Sequence, residues 1–271
     1  MRASRVPTIA TACLLTVSLW AAAGPAEGGP LGGPGSDDVV ERLYDGQGRL
    51  VWERGLSADD RIGFERFYRQ PAKPESPGNG NGGGKGGGGG GDGGGDGPGT
   101  DCPADQYRTA GWAWSVPFTA EASSHAPWFD AAGHAWDDAT GASLFGGVTA
   151  GSGATAGIRD GMNRFDFVDL GAGGTIAVTT TWYNRFTGEA VESDAQYNTY
   201  YAWATDGSAG AMDVLNIAVH EMGHTFGLDH PNGPAHKIGC LSMYAYGDLG
   251  ETQKRTLGDG DVLGIRAVYG A

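Results

Sequence analysis

Three of the six histidines lie in one eleven-residue window, as His220, His224 and His230, with Glu221 beside the first. Histidines four apart on a helix stand one above the other on a single face. That sets two imidazoles where a tetrahedral zinc needs them. Gly227 lets the chain leave the helix by a turn other residues resist, swinging His230 back as a third ligand. Three protein ligands leave a fourth position open for water, the arrangement of a catalytic centre. Zinc pulls the pKa of such a water toward about 7. Glu221, angled away from its histidine neighbours, is placed to take the proton from that water and pass it to a leaving amine. The chemistry is hydrolysis. His125, His134 and His236 match no ligand spacing and read as ordinary side chains.

The elements around this motif must hold it still. A helix over 211–227 carries it, with Met212, Leu215, Val219 and Met222 to bury its far side. A second amphipathic helix is expected over 126–140, where Trp128, Phe129, Ala132 and Trp136 recur at helical spacing and build core. Residues 112–118 alternate as a first strand, and 144–150 and 164–170 are further short strands. Residues 175–182, rich in Thr, Val and Ile, form the most β-prone segment. After a turn, 190–201 pairs back, and a last helix runs over 259–269.

Composition divides the chain. Arg2 and Arg5, an apolar stretch over 9–20 and the small residues Ala21 and Ala23 read as a secretory signal over 1–23. The stretch is too short for a membrane span, Cys13 leaves with it, and no later segment approaches spanning length. Residues 78–99 hold 16 glycines in 22 positions, a tether reaching roughly 25 Å as a random coil. The boundaries are thus 1–23 signal, 24–77 prosegment or small accessory segment, 78–101 flexible linker and 102–271 the domain with the site. Within 24–77, residues 39–54 read as a hairpin turning at Asp45-Gly46-Gln47-Gly48. Ser57 and Asp60 resemble a capping box opening a helix through Phe64, Phe67 and Tyr68 that stops before Pro71. A segment this small is too short to fold alone. It is either a propeptide docked on the domain or a retained recognition module.

The chain carries 32 acidic against 18 basic residues, and from Pro103 onward 19 against 8. Nucleic acid and anionic membranes, which need basic patches, are disfavoured as partners. Some of these carboxylates could hold calcium. Two cysteines outlast the signal, Cys102 and Cys240. In an oxidising compartment an even pair suggests a disulfide, with a Cys102 latency thiolate as the competing role.

With these residues in view, the chain resembles the metzincins, and among them it is most similar to matrixins, including secreted bacterial matrixin-like peptidases. The matching features are the motif His220 to His230, the Met-turn-like Ser242-Met243-Tyr244, and a tail from Leu257 to Gly270 similar to the matrixin closing helix. Pro231 departs from the matrixin pattern, which usually has serine there, and no cysteine-switch sequence surrounds Cys102. The resemblance implies an α+β fold: a twisted five-stranded mixed sheet, two long helices, and a small C-terminal subdomain with a closing helix. It implies one catalytic zinc on His220, His224 and His230, Glu221 as catalytic base, and Met243 as a hydrophobic floor under the cage. Residues 175–182 would be the edge strand beside which a protein or peptide substrate adds in extended form. The loop from His230 to Tyr246 would wall the pocket beyond the scissile bond. A secreted, extracellular monomer made as a zymogen is expected. A secreted hydrolase of cell-wall peptides and an inactive zinc-bearing binding module are the alternatives.

Overall fold

The computed structural model describes residues 38–57, 61–72, 102–151, 155–172 and 174–270. The signal stretch, residues 58–60 with Asp60 of the expected capping box, and the glycine tether lie outside them. The described residues form one unit, the N-terminal hairpin included.

Three strands come first: β1 (Asp38–Tyr44), β2 (Leu50–Leu56) and β3 (Ile62–Pro71). After the tether follow β4 (Arg108–Thr109), β5 (Phe118–Ala122), helix α1 (Ala126–Asp137), β6 (Phe145–Ala150), β7 (Arg164–Val168), β8 (Ala177–Asn184) and β9 (Ala190–Asn198). Two short strands, β10 (Trp203–Ala204) and β11 (Met212–Asp213), lead into α2 (Val214–Thr225). The chain ends with β12 (Leu228–Asp229), the single turn α3 (Ala235–Ile238), β13 (Tyr246–Gly247) and α4 (Asp259–Tyr269).

The main sheet runs β1-β2-β3-β8-β9-β7-β5-β6, with β13 pairing to β3. It is mixed: β8 and β9 are antiparallel, whereas β7 pairs parallel to both β9 and β5. The fold class is therefore α+β. Of its five strands from β8 to β6, β6, β7, β8 and β9 fall close to the expected segments, and β1 to β3 extend the same sheet. Phe118, Phe165, Ala195 and Tyr197 from the strands meet Phe129, Ala132, Trp136, Ile217 and Val219 from α1 and α2 in one apolar core. The Trp136 indole N–H donates to Val219 O (2.8 Å), fastening one helix to the other.

Two expectations fail. No strand spans 112–118; the first long strand of the domain begins at Phe118. Trp112 and Trp114 alternate as strand residues would, but Pro117 interrupts the run. Trp114 instead donates its indole N–H to Thr225 O (2.7 Å) and its backbone N–H to the Tyr269 hydroxyl (3.1 Å). Nor is there a helix through Phe64, Phe67 and Tyr68. Residues 62–71 are a ten-residue strand. Apolar residues at 64, 67 and 68 satisfy a helical stripe only because both faces of this strand are covered, so strict alternation is lost. Its neighbours in the sheet supply the backbone partners that overrule the local pattern.

Candidate metal centre

Helix α2 begins cleanly because Asp213 caps it, accepting from Asn216 N at 2.9 Å. Asp213 is held in turn by Arg255 at 2.5 Å. The helix is buried nearly throughout, including His220, Glu221 and His224 at 0% exposure. It stops at Gly227, whose φ of 89° is a left-handed conformation; a Cβ there would lie 2.4 Å from Trp112 O. The chain then reverses into β12, which pairs antiparallel with β4, and Arg108 braces Asp229 at 2.7 Å. His230 follows directly, returned toward the helix.

The three imidazoles converge. Their Nε2 atoms lie 3.0 Å (His224–His220), 3.0 Å (His224–His230) and 3.2 Å (His220–His230) apart. Nitrogens bound at about 2.0–2.1 Å in a tetrahedral site stand about 3.3 Å apart, so the donor set fits zinc. His220 Nδ1 donates to Ser242 O (2.6 Å) and His224 Nδ1 to Leu228 O (2.8 Å), in the tautomer this network assigns. Those bonds turn both Nε2 lone pairs inward. Burial holds the imidazoles neutral, lowering His224 to about 3 and His220 and His230 well below the ordinary histidine range. Neutral imidazole is the ligand form.

Glu221 is buried on the same helix, next in sequence to His220. Its Oε2 accepts from the Thr179 hydroxyl of β8 at 2.6 Å, while Oε1 is buried with no partner among the described residues. Burial raises its pKa to about 7. One oxygen is thus oriented and the other is left as a free acceptor.

Met243 lies beneath the helix at 3% exposure. A Cβ on Gly223 would come 2.2 Å from its sulfur and 2.7 Å from the Trp136 ring, so the motif needs glycine between its histidines. Asp261 fixes the turn that bears this methionine, accepting from Ser242 N (2.8 Å) and Met243 N (3.1 Å). Thr179 and Asp261 lie far from the motif in sequence, and neither has a local signature that marks its role.

Among the described residues, His220, His224 and His230 are the grouping of metal-type ligands within reach of one ion. Carboxylates of Asp166, Glu192 and Asp194 instead accept backbone N–H groups of residues 156, 157, 160, 161 and 164. His125, His134 and His236 lie apart from the cage. Cys102 and Cys240 are joined in a disulfide, so Cys102 is not a thiolate.

The cleft between β8 and α2 holds β3. Strand β8 is therefore not a free edge: it pairs antiparallel with β3 from Ile62↔Asn184 to Arg69↔Ala177. The Phe67 ring stacks on His224, centroids 4.2 Å apart, and the Arg69 guanidinium contacts His220 Nδ1. Phe67 was expected only on a helix and Arg69 was not marked at all, because the site partners of each lie more than a hundred positions away.

The profile of the matrixin family (Peptidase_M10) matches residues 162–270. Similar proteins include matrilysin of Homo sapiens, 32% identical over 31% of this chain and 29% of that protein. Neutrophil collagenase of Homo sapiens is 35% identical over 31% of this chain and 16% of its own length. Macrophage metalloelastase of Rattus norvegicus is 33% identical over 39% of this chain and 20% of its own. The chain thus spans less than a third of the length of these relatives. With the α+β fold and the histidine triad, these matches make residues 162–270 similar to the matrixins and support a matrixin-like metzincin reading of that part of the chain.

Proposed function

We propose that the chain is a secreted zinc-dependent endopeptidase, with His220, His224 and His230 as zinc ligands and Glu221 as general base. The observation that carries this reading is Glu221 itself: a buried carboxylate, one oxygen tied to Thr179 and the other without a partner among the described residues, next in sequence to one of three histidines with inward-turned nitrogens. Zinc, when bound, supplies a Lewis acid that acidifies water and polarises the scissile carbonyl. Glu221 Oε1 takes a proton from the attacking water and returns it to the leaving nitrogen. Thr179 keeps the carboxylate turned to that task. Met243 and Trp136 press on Gly223 and keep the ligands from shifting. Secretion is supported by the pattern over 1–23 and by the disulfide. Residues 24–77 act as a prosegment, a reading supported by β3 lying in the cleft. Among the described residues no helix is long and apolar enough to cross a membrane.

The test is hydrolysis of unfolded protein by residues 102–271, beside Glu221→Ala and beside the longer chain. Chelator-sensitive cleavage is expected, falling about 10²–10⁴-fold in the variant while zinc is retained. The longer chain should be less active. Zinc-loaded protein that cuts no peptide would overturn the reading, and equal activity of long and short forms would remove the prosegment role.

A further inference from the structure

Strand β3 is held on both backbone edges. Opposite β8, its residues 63–67 pair with β2, and its end pairs parallel with β13 as Gln70↔Tyr246 and Pro71↔Gly247. Arg69 O accepts from Ile176 N (2.7 Å), Gln70 N donates to Ala245 O (3.2 Å), and Ala72 N donates to Gly247 O (2.9 Å). A peptide that added a strand to β8 would lie along this line. Tyr68 passes over the histidine cage, because its neighbours touch it from either side: Phe67 on His224 and Arg69 on His220.

The Arg69 side chain leaves the strand into a closed pocket and is 0% exposed. One wall is His220; the other is the segment 242–246. Nη1 donates to Tyr244 O (2.6 Å) and Ser242 O (3.4 Å), and Nη2 donates to Tyr246 O (3.1 Å). Glu251 stands 4.0 Å from Nη2 and is itself fixed by Lys254 at 2.7 Å. Carbonyl oxygens at spread positions near one carboxylate suit a planar, many-donor cation; Ser242 O also accepts from His220 Nδ1 (2.6 Å) and Tyr246 O from Lys254 Nζ (2.8 Å), so an aliphatic side chain would strand Tyr244 O. Lysine could reach one or two of them, not all three.

We propose that this is a guanidinium pocket that sets specificity: the enzyme selects arginine on the amine side of the bond it cuts, and Arg69 plugs the same pocket in its own chain. The inference rests on the peptidase reading above for the cut, and on the pocket alone for the arginine. In a substrate bound in the register of β3, the bond cut joins the residue at the Tyr68 position to arginine. The water oxygen joins the carbonyl carbon and the C–N bond breaks. The proton taken by Glu221 leaves on the new arginine amine, and the other product ends in a carboxylate.

The experiment uses the full chain as Arg69→Ala, zinc-loaded, with folding checked by circular dichroism. Two probes are compared by calorimetry: a decapeptide of residues 62–71, and the same peptide with alanine in place of arginine. Charged hydrogen bonds of this kind discriminate by about tenfold or more. The arginine peptide should therefore bind at least about tenfold tighter than the alanine peptide. The unaltered chain, already plugged, should bind the arginine peptide at least about tenfold more weakly than the variant does. A peptide mixture digested by the variant should yield new amine termini enriched in arginine. Should Arg69→Ala not fold, Arg69→Lys, which keeps the charge and loses the fork, must show the same order of binding. Equal binding of the two peptides, or cleavage without arginine excess, overturns the pocket. Arginine-selective binding with no cleavage by zinc-loaded protein upholds the pocket and overturns the peptidase reading.

Discussion

The carboxylate of Asp261 accepts three backbone N–H groups, from Ser242 (2.8 Å), Met243 (3.1 Å) and Gly258 (2.8 Å). Ser242 is also the residue whose carbonyl holds His220. A single buried acid thus ties the closing helix to the floor and to one ligand. Removing it leaves three buried donors, each costing about 1–3 kcal/mol. Asp261→Ala should lose about 3–5 kcal/mol of stability, a fall of roughly 10 °C in Tm by calorimetry. A drop of only a degree or two would show that water replaces the carboxylate without loss. The histidines and Glu221 were legible because their relation is local, four positions on one helix and a glycine turn. Asp261, Thr179 and Arg69 were not, since what each touches at the site is distant in the chain.

At the scale of the element, β3 shows both how a pattern misleads and what its docking depends on. Its apolar residues fit a helix as well as a strand, and only the groove between β8 and β13 decides for the strand. Glu65 is buried in it at 6% exposure, against the Trp52 indole N–H at 3.3 Å. Burial raises its pKa to about 7; the Trp52 bond opposes this, and the nearby charge of Asp229 adds to it while Arg54 lowers it. A carboxyl whose docked pKa exceeds its free value binds more protons when docked. Docking is then strongest below the free value near 4.5 and weakens as pH rises toward about 7. Stability of the full chain should decline over that window, and the decline should shrink in Glu65→Gln. Thermal unfolding followed from pH 4.5 to 8 in both proteins checks this; parallel curves would remove Glu65 as the cause. By contrast, α1, β6, β7, β8, β9, α2 and α4 fall close to where pattern and composition put them, because local preference and tertiary packing agree there.

For the whole molecule, the Cys102–Cys240 bridge closes a loop of 138 positions and pins the start of the domain beside the turn that carries Met243. Cys102 packs there with Ile238 and Leu241. Replacing both cysteines by serine should lower stability by about 2–5 kcal/mol, read as an earlier urea midpoint, with zinc held more weakly. An unchanged midpoint would mean the remaining contacts already hold that corner. The amino-acid sequence by itself determined the spacing of the three histidines with the acid beside them, and the change of composition at the glycine tether. Each of these follows from spacing within a single element or from composition over a short window. Tertiary structure alone decided that residues 62–71 form a strand in the cleft and that Arg69 enters a pocket of carbonyls beside His220. It also decided that Thr179 and Asp261 fix the acid and the floor. The physical reason is that a side chain's partners across a fold, and the backbone edge that claims a segment, depend on contacts between elements that no local periodicity records.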